Sequence, residues 1–164
     1  MSASQITATV FGLGYLRPAS GTWASLAAIA LASGLHLWGG FPLVAAATVL
    51  VTALGFWACA AFIPGLGSDD PSEVVIDEVA GQFLAFSATS FGLWHAGVGT
   101  LPWPAWLAPL VLFRLFDIWK PWLVGWADRK HGPHWVMIDD LFAGLFAALV
   151  SVALAGVYHG VLGR

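Results

Sequence analysis

From Pro18 to Ser68 the chain carries no Asp, Glu, Lys or Arg. A soluble fold has no place for so long a charge-free run, because about a quarter of an ordinary globular chain is charged. The stretch divides into two apolar runs, about 22–38 and 41–63, with Gly39-Gly40-Phe41-Pro42 between them. A helix needs roughly 20 apolar residues to cross a bilayer, so each run is long enough. Gly-Gly followed by Pro predicts a turn that folds the second run back on the first. Only 9% of the whole chain is charged and 59% is hydrophobic, and its ten Trp and eleven Phe suit long interfacial belts.

The same reading extends along the chain. The charge-free stretch from Val79 to Phe113 is interrupted by Ala-Gly-Val-Gly-Thr-Leu-Pro-Trp-Pro at 96–104, which predicts helices near 78–95 and 104–120. Leu141 to Leu162 is long enough to span alone. The expected fold is therefore an all-α, multi-helix integral membrane protein with about five apolar helices. Residues 1–164 form one membrane-embedded domain. If each hairpin crosses and returns, all nine acidic residues and five of the six basic ones gather on one membrane face, and only Arg164 lands opposite. Basic residues mark the cytoplasmic side, so the charged face is expected to be cytoplasmic. The N-terminus has no basic start and its first cation, Arg17, follows the mildly apolar stretch, which argues against a signal peptide. The net charge of −3 argues against nucleic acid as a partner, and the single Cys59 allows no internal disulfide. The sequence sets no oligomeric state.

Three acidic clusters interrupt the apolar pattern. In Asp-Asp-Pro-Ser-Glu-Val-Val-Ile-Asp-Glu-Val-Ala-Gly, 69–81, Asp70 and Pro71 look like the cap and first turn of a helix, with Glu73 and Asp77 on one face. A solvated helix start accounts for Asp69, Asp70 and Glu73. It accounts poorly for Asp77 and Glu78, which sit between Val-Val-Ile and an apolar helix, where a lone carboxylate is costly. In Phe-Arg-Leu-Phe-Asp-Ile-Trp-Lys-Pro-Trp, 113–122, Arg114, Asp117 and Lys120 recur every third residue and predict one polar ridge near a helix end. The plain alternative there is an interfacial salt bridge with snorkelling stems. In the third cluster Asp139 and Asp140 are expected to open the last helix, with Gly144 four residues beyond. One acid satisfies a helix dipole; two adjacent acids repel unless a cation lies between them.

A fourth element is the loop Gly-Leu-Gly-Tyr-Leu-Arg-Pro-Ala-Ser-Gly-Thr, 12–22. It offers Ser20 and Thr22 as cap residues, free N–H groups for phosphate, and Arg17. Carboxylates with basic groups beside them suit Mg²⁺ shared with phosphate oxygens, the arrangement of metal-assisted phosphoryl transfer at a lipid headgroup. Other phosphatase chemistries do not fit. Cys59 is followed by Ala-Ala-Phe-Ile-Pro-Gly, which makes no phosphate loop; Ala-Ser-Gly-Thr at 19–22 lacks the His of a His-nucleophile signature; no Asp-x-Asp pair occurs. The rival reading is a small ion- or proton-coupled transporter, but a relay wants acids at mid-helix depth and these gather near helix ends.

Gly-Thr-Trp-Ala-Ser-Leu, Val-Val-Ile-Asp-Glu-Val-Ala-Gly-Gln, Phe-Arg-Leu-Phe-Asp-Ile-Trp-Lys-Pro-Trp, Asp-Arg-Lys-His-Gly and Met-Ile-Asp-Asp-Leu-Phe-Ala-Gly, in this order, resemble the motifs of the phosphatidylglycerophosphatase A family over roughly 9–146. The resemblance implies a Mg²⁺-dependent phosphoric monoester hydrolase of the bacterial inner membrane. It would remove the terminal phosphate of a phospholipid substrate, phosphatidylglycerophosphate, to give phosphatidylglycerol. Carried over by motif, Asp77, Glu78, Asp117, Asp139 and Asp140 are the expected metal and catalytic carboxylates. Arg114 and Lys120, with Arg17 and Thr22 from the loop, are the expected phosphate contacts. The chain departs from the family pattern at Ser20 and at Pro133-His134.

Overall fold

The long charge-free stretch folds back on itself at Gly40. The computed structural model describes residues 1–68 and 70–162, with no side-chain description at 161 and 162. Helix α1 spans Ala3–Ala8 and α2 spans Ser20–Phe62, but α2 is broken at Gly40, whose φ of 65° and ψ of −161° lie outside any helix. The next helices are α3 (Ile76–His95), α4 (Trp103–Trp119), α5 (Trp122–Asp128) and α6 (Pro133–Val157). His36 Nδ1 lies 2.8 Å from Ser90 Oγ, and Thr48 Oγ1 lies 3.1 Å from Ser87 Oγ. A straight helix would separate His36 from Thr48 by about 18 Å, yet both reach the same turn of α3. The two arms of α2 therefore run antiparallel, as the Gly-Gly-Phe-Pro signal predicts.

Helix α3 is the centre of the bundle. Both arms of α2 pack on one side of it and α4 and α6 on the others. Val75, Val79, Phe83 and Phe86 fill the α2 side together with Ala24, Ala28, Ala32 and Val44. Ala85 meets Phe113, Ala143 and Ala147. Cys59 is buried against Ile76 and Met137. Gly21 and Gly55 lie beside Glu78 and Ile76, at the start of α3, whereas Gly40 lies beside Trp94, near its end. Outward faces are apolar: Val49, Val111, Ile118, Leu149 and Val152 are all more than half exposed. The segments Ser20–Gly65 and Pro133–Gly160 are long and apolar enough to cross a membrane.

α3 and α6 run parallel and touch through glycine. A Cβ on Gly144 would run into the Gly81 carbonyl, and one on Gly81 would lie 2.6 Å from the Asp140 carbonyl oxygen. Backbones approach this closely only where the side chain is absent. Asp77 is four residues before Gly81 and Asp140 is four before Gly144, so the contact turns both carboxylates toward the same gap. Gly144→Ala should push the helices apart at a cost of about 1–3 kcal/mol. Thermal unfolding in detergent should show a lower midpoint; an unchanged midpoint would mean the contact is loose.

Several boundaries differ from the sequence expectation. The segment 71–75 is not helical and α3 begins at Ile76, so Pro71 starts no helix and Glu73 does not share a helical face with Asp77. The reason is tertiary. The Val75 N–H donates to the Ala8 carbonyl at 2.9 Å, and Ser20 Oγ donates to the Ser72 carbonyl at 2.8 Å. These bonds tie the segment to α1 and to the start of α2. Ser20 is thus not a cap, and neither is Thr22; the cap position is Ala19, in the left-handed region. α6 starts at Pro133, so Asp139 and Asp140 lie in its second turn and do not open it. α4 stops at Trp119, and Lys120 leaves the helix at φ 51°. Asp69 lies outside the described residues.

Candidate functional site

The N-terminal segment sets the position of the first carboxylates. α1, Ser20 and Arg17, whose Nη2 donates to Ser72 Oγ at 3.3 Å, hold the turn at 71–75 that leads into α3. Asp77 and Glu78 then fall in the first turn of α3, where the helix dipole favours negative charge. The Gly81–Gly144 contact brings the second turn of α6 alongside. As a result, ligand oxygens of Asp77, Glu78 and Asp140 all lie within 4.8 Å of one another. Asp77 and Asp140 are 6% and 4% exposed, so bulk water does not screen them.

Basic groups border this cluster. Gly21, the second residue of α2, lies against both the Glu78 carboxylate and the Arg114 guanidinium; any larger residue there would collide with Glu78. Arg114 Nη1 donates to Asp117 Oδ2 at 2.5 Å. Asp117 is also close enough for its charge to bear on Glu78 and Asp140. Lys120 Nζ pairs with Asp128 and, at 3.2 Å, with Asp139. Burial pulls the Lys120 ammonium toward neutrality, but its hydrogen bond to Asp128 and the charge of Asp139 outweigh this and hold its pKa above the usual value. Lys120 is therefore a fixed positive charge at any physiological pH.

The sequence-selected residues thus separate into three groups. Asp77, Glu78 and Asp140 form the cluster; Asp117 and Asp139 stand beside it, each in an ion pair. Arg114, Asp117 and Lys120 do not make one ridge, because Lys120 turns away from α4 toward α5 and α6. Arg17 is exposed on the loop before α2 and Thr22 in its first turn, and among the described residues neither is seen bonded to the triad. Asp128 was not selected from the sequence. Its signal was a lone acid closing the apolar Trp-Leu-Val-Gly-Trp-Ala segment.

The cluster is suited to a cation. Asp77 Oδ1, Glu78 Oε2 and Arg114 Nε are buried and have no hydrogen-bond partner among the described residues. Neighbouring carboxylates in an apolar interior repel one another and are poorly solvated. A hard divalent ion coordinated by carboxylate oxygen offsets both penalties. Asp77, Glu78 and Asp140 can hold such a metal, and the buried Arg114 Nε–H remains free to donate to an anion beside it.

The protein is of the helical-bundle class, with a carboxylate triad at one end that could hold a cation and with guanidinium and ammonium groups beside it. The family model described as Phosphatidylglycerophosphatase A matches residues 6–155, and the chain belongs to that family. It is 33% identical over 150 residues to Phosphatidylglycerophosphatase A of Haemophilus influenzae, covering 91% of this chain and 86% of that one. The Escherichia coli K12 protein of the same name is 33% identical over 146 residues, with 87% and 78% covered. A Bacteroides thetaiotaomicron relative is 34% identical over 151 residues, with 88% and 89% covered; its name, given provisionally, is that of a phosphatidylinositol-3-phosphatase. No solved structure matches the chain.

Proposed function

We propose that the chain is a Mg²⁺-dependent lipid phosphatase that hydrolyses the terminal phosphate of phosphatidylglycerophosphate, releasing phosphatidylglycerol and inorganic phosphate in phospholipid biosynthesis. Family membership carries the reaction, and the convergence of Asp77, Glu78 and Asp140 beside Arg114 supports its chemistry. Mg²⁺ held by those three carboxylates would polarise the phosphate and offset its charge. Arg114 offers Nε–H to a phosphate oxygen while Asp117 fixes the guanidinium plane. Lys120, held by Asp128 and Asp139, supplies a second fixed positive charge. Arg17 and Thr22 form the outer rim that a headgroup meets first. Asp117 and Asp139 orient the two cations.

The membrane arrangement follows the same reading. Both arms of α2, together with α3, α4 and α6, cross the bilayer of a bacterial inner membrane. Arg17, Arg114, Lys120, Arg129 and Lys130 all lie toward the triad's end of the bundle, which supports a cytoplasmic placement of that end. The experiment is phosphate release from phosphatidylglycerophosphate by the purified protein in detergent, with chelator and then with Mg²⁺ restored. Release that stops with chelator and returns with Mg²⁺ is expected. Release indifferent to chelation would remove the cation from the reaction. Faster release from phosphatidylinositol 3-phosphate would transfer the assignment to that lipid.

A further inference from the structure

Gln82 lies one turn beyond Glu78 on the same face of α3. It is wholly buried, and neither its amide nitrogen nor its amide oxygen has a hydrogen-bond partner among the described residues. The residues beside it in the chain, Gly81 and Phe83, are packed into the interior of the bundle, Phe83 on the α2 side and Gly81 against Phe113. A buried amide without partners is strongly unfavourable, and a residue needed only for packing would be Leu or Met. Glu78 Oε2 is orphaned too. A donor and an acceptor four residues apart on one helix reach each other by rotation of their side-chain torsions alone.

We infer that Gln82 is a positioning residue for the cation site. When the site is loaded, rotation of the Gln82 side chain brings Nε2 to Glu78 Oε2, and the bond it then donates holds that carboxylate facing Asp77 and Asp140. Glu78 has Asp77 beside it on the triad side and Arg114 on the Gly21 side, so a donor behind it decides between the two directions. The inference rests on the reading that the triad binds a divalent cation. It adds that the neutral amide behind the triad sets the affinity of the site. Outer groups of this kind typically change metal affinity or activity about 10–100-fold when removed.

Binding of Mn²⁺ to the purified apoprotein in detergent, followed by the electron paramagnetic resonance of the free ion, tests this without turnover. Gln82→Leu keeps the volume and removes an unpartnered amide, so its helical fold and unfolding midpoint without metal should be retained. Its dissociation constant for Mn²⁺ should rise about 10–100-fold. Gln82→Asn retracts the amide and should weaken binding in the same direction. In a Glu78→Gln background, Gln82→Leu should have no further effect, because the partner carboxylate is already gone. In turnover, the Mg²⁺ needed for half-maximal rate should rise while KM for lipid stays unchanged. Wild-type affinity in either Gln82 variant, or loss of the fold in both, would overturn the positioning role. A wild-type protein that binds no Mn²⁺ would overturn the cation site itself, a result separable from the first.

Discussion

Asp140→Asn is expected to lower phosphate release on the order of 10³-fold, equivalent to ~4 kcal/mol of transition-state stabilisation, while the protein still folds. Asn has nearly the same shape as Asp, so the α3–α6 contact through Gly81 and Gly144 is kept. What is lost is one of three charges that make the gap between the helices attractive to a cation. The variant separates a binding role from a structural one. Without metal, removing a charge from a buried cluster relieves repulsion, so the unfolding midpoint should hold or rise. The rise in midpoint that added Mg²⁺ gives the wild-type protein should disappear, because a ligand stabilises only the state that binds it. A midpoint that falls without metal, with activity nearly intact, would make Asp140 a packing residue.

Arg114→Ala is expected to lower turnover about 10²–10³-fold, the usual effect of removing one donor aimed at charge that develops in the transition state. Arg114→Lys should recover little of it. A guanidinium can bond Asp117 through Nη1 and still present Nε–H in a fixed plane; an ammonium on a flexible stem cannot do both. Arg114 lies against the triad, so its loss is not comparable to the loss of an exposed ion pair. Kinetics of both variants in detergent, with the fold checked by circular dichroism, are the measurement. Full activity in Arg114→Lys would refute the planar role, and a destabilised Arg114→Lys would make the Arg114–Asp117 pair a structural salt bridge.

Much of this site was legible in the sequence because charge is so rare in the chain. Asp77, Glu78 and Asp140 stand out against apolar helices, and Gly81 and Gly144 each lie four residues past an acid. The turn at Gly40 was legible for a similar reason, since Gly-Gly with Pro interrupts an otherwise unbroken apolar run. The misplaced boundaries have physical causes. Asp70-Pro71 carries the local signal of a helix start, but the Ala8–Val75 and Ser20–Ser72 hydrogen bonds claim that backbone first. The onset of α6 was set too late because an apolar run was used to mark it. Pro133 is well suited to a first helical turn, and the helix runs through both aspartates before the apolar run begins. Lys120 precedes Pro121, and a residue before proline is disfavoured in the α conformation. That rule already pointed away from a ridge of Arg114, Asp117 and Lys120. α5 is only seven residues long, too short to show a period, which concealed Asp128 as the partner of Lys120.

The central claim is that one divalent cation binds where α3 and α6 meet. Anomalous diffraction from crystals of the protein grown with Mn²⁺ tests it most directly. A single strong peak bounded by the carboxylates of Asp77, Glu78 and Asp140 is the expected result, and it should vanish in Asp140→Asn crystals. A peak between Asp128 and Asp139 in place of Lys120, or no peak near the triad at saturating Mn²⁺, would contradict the claim.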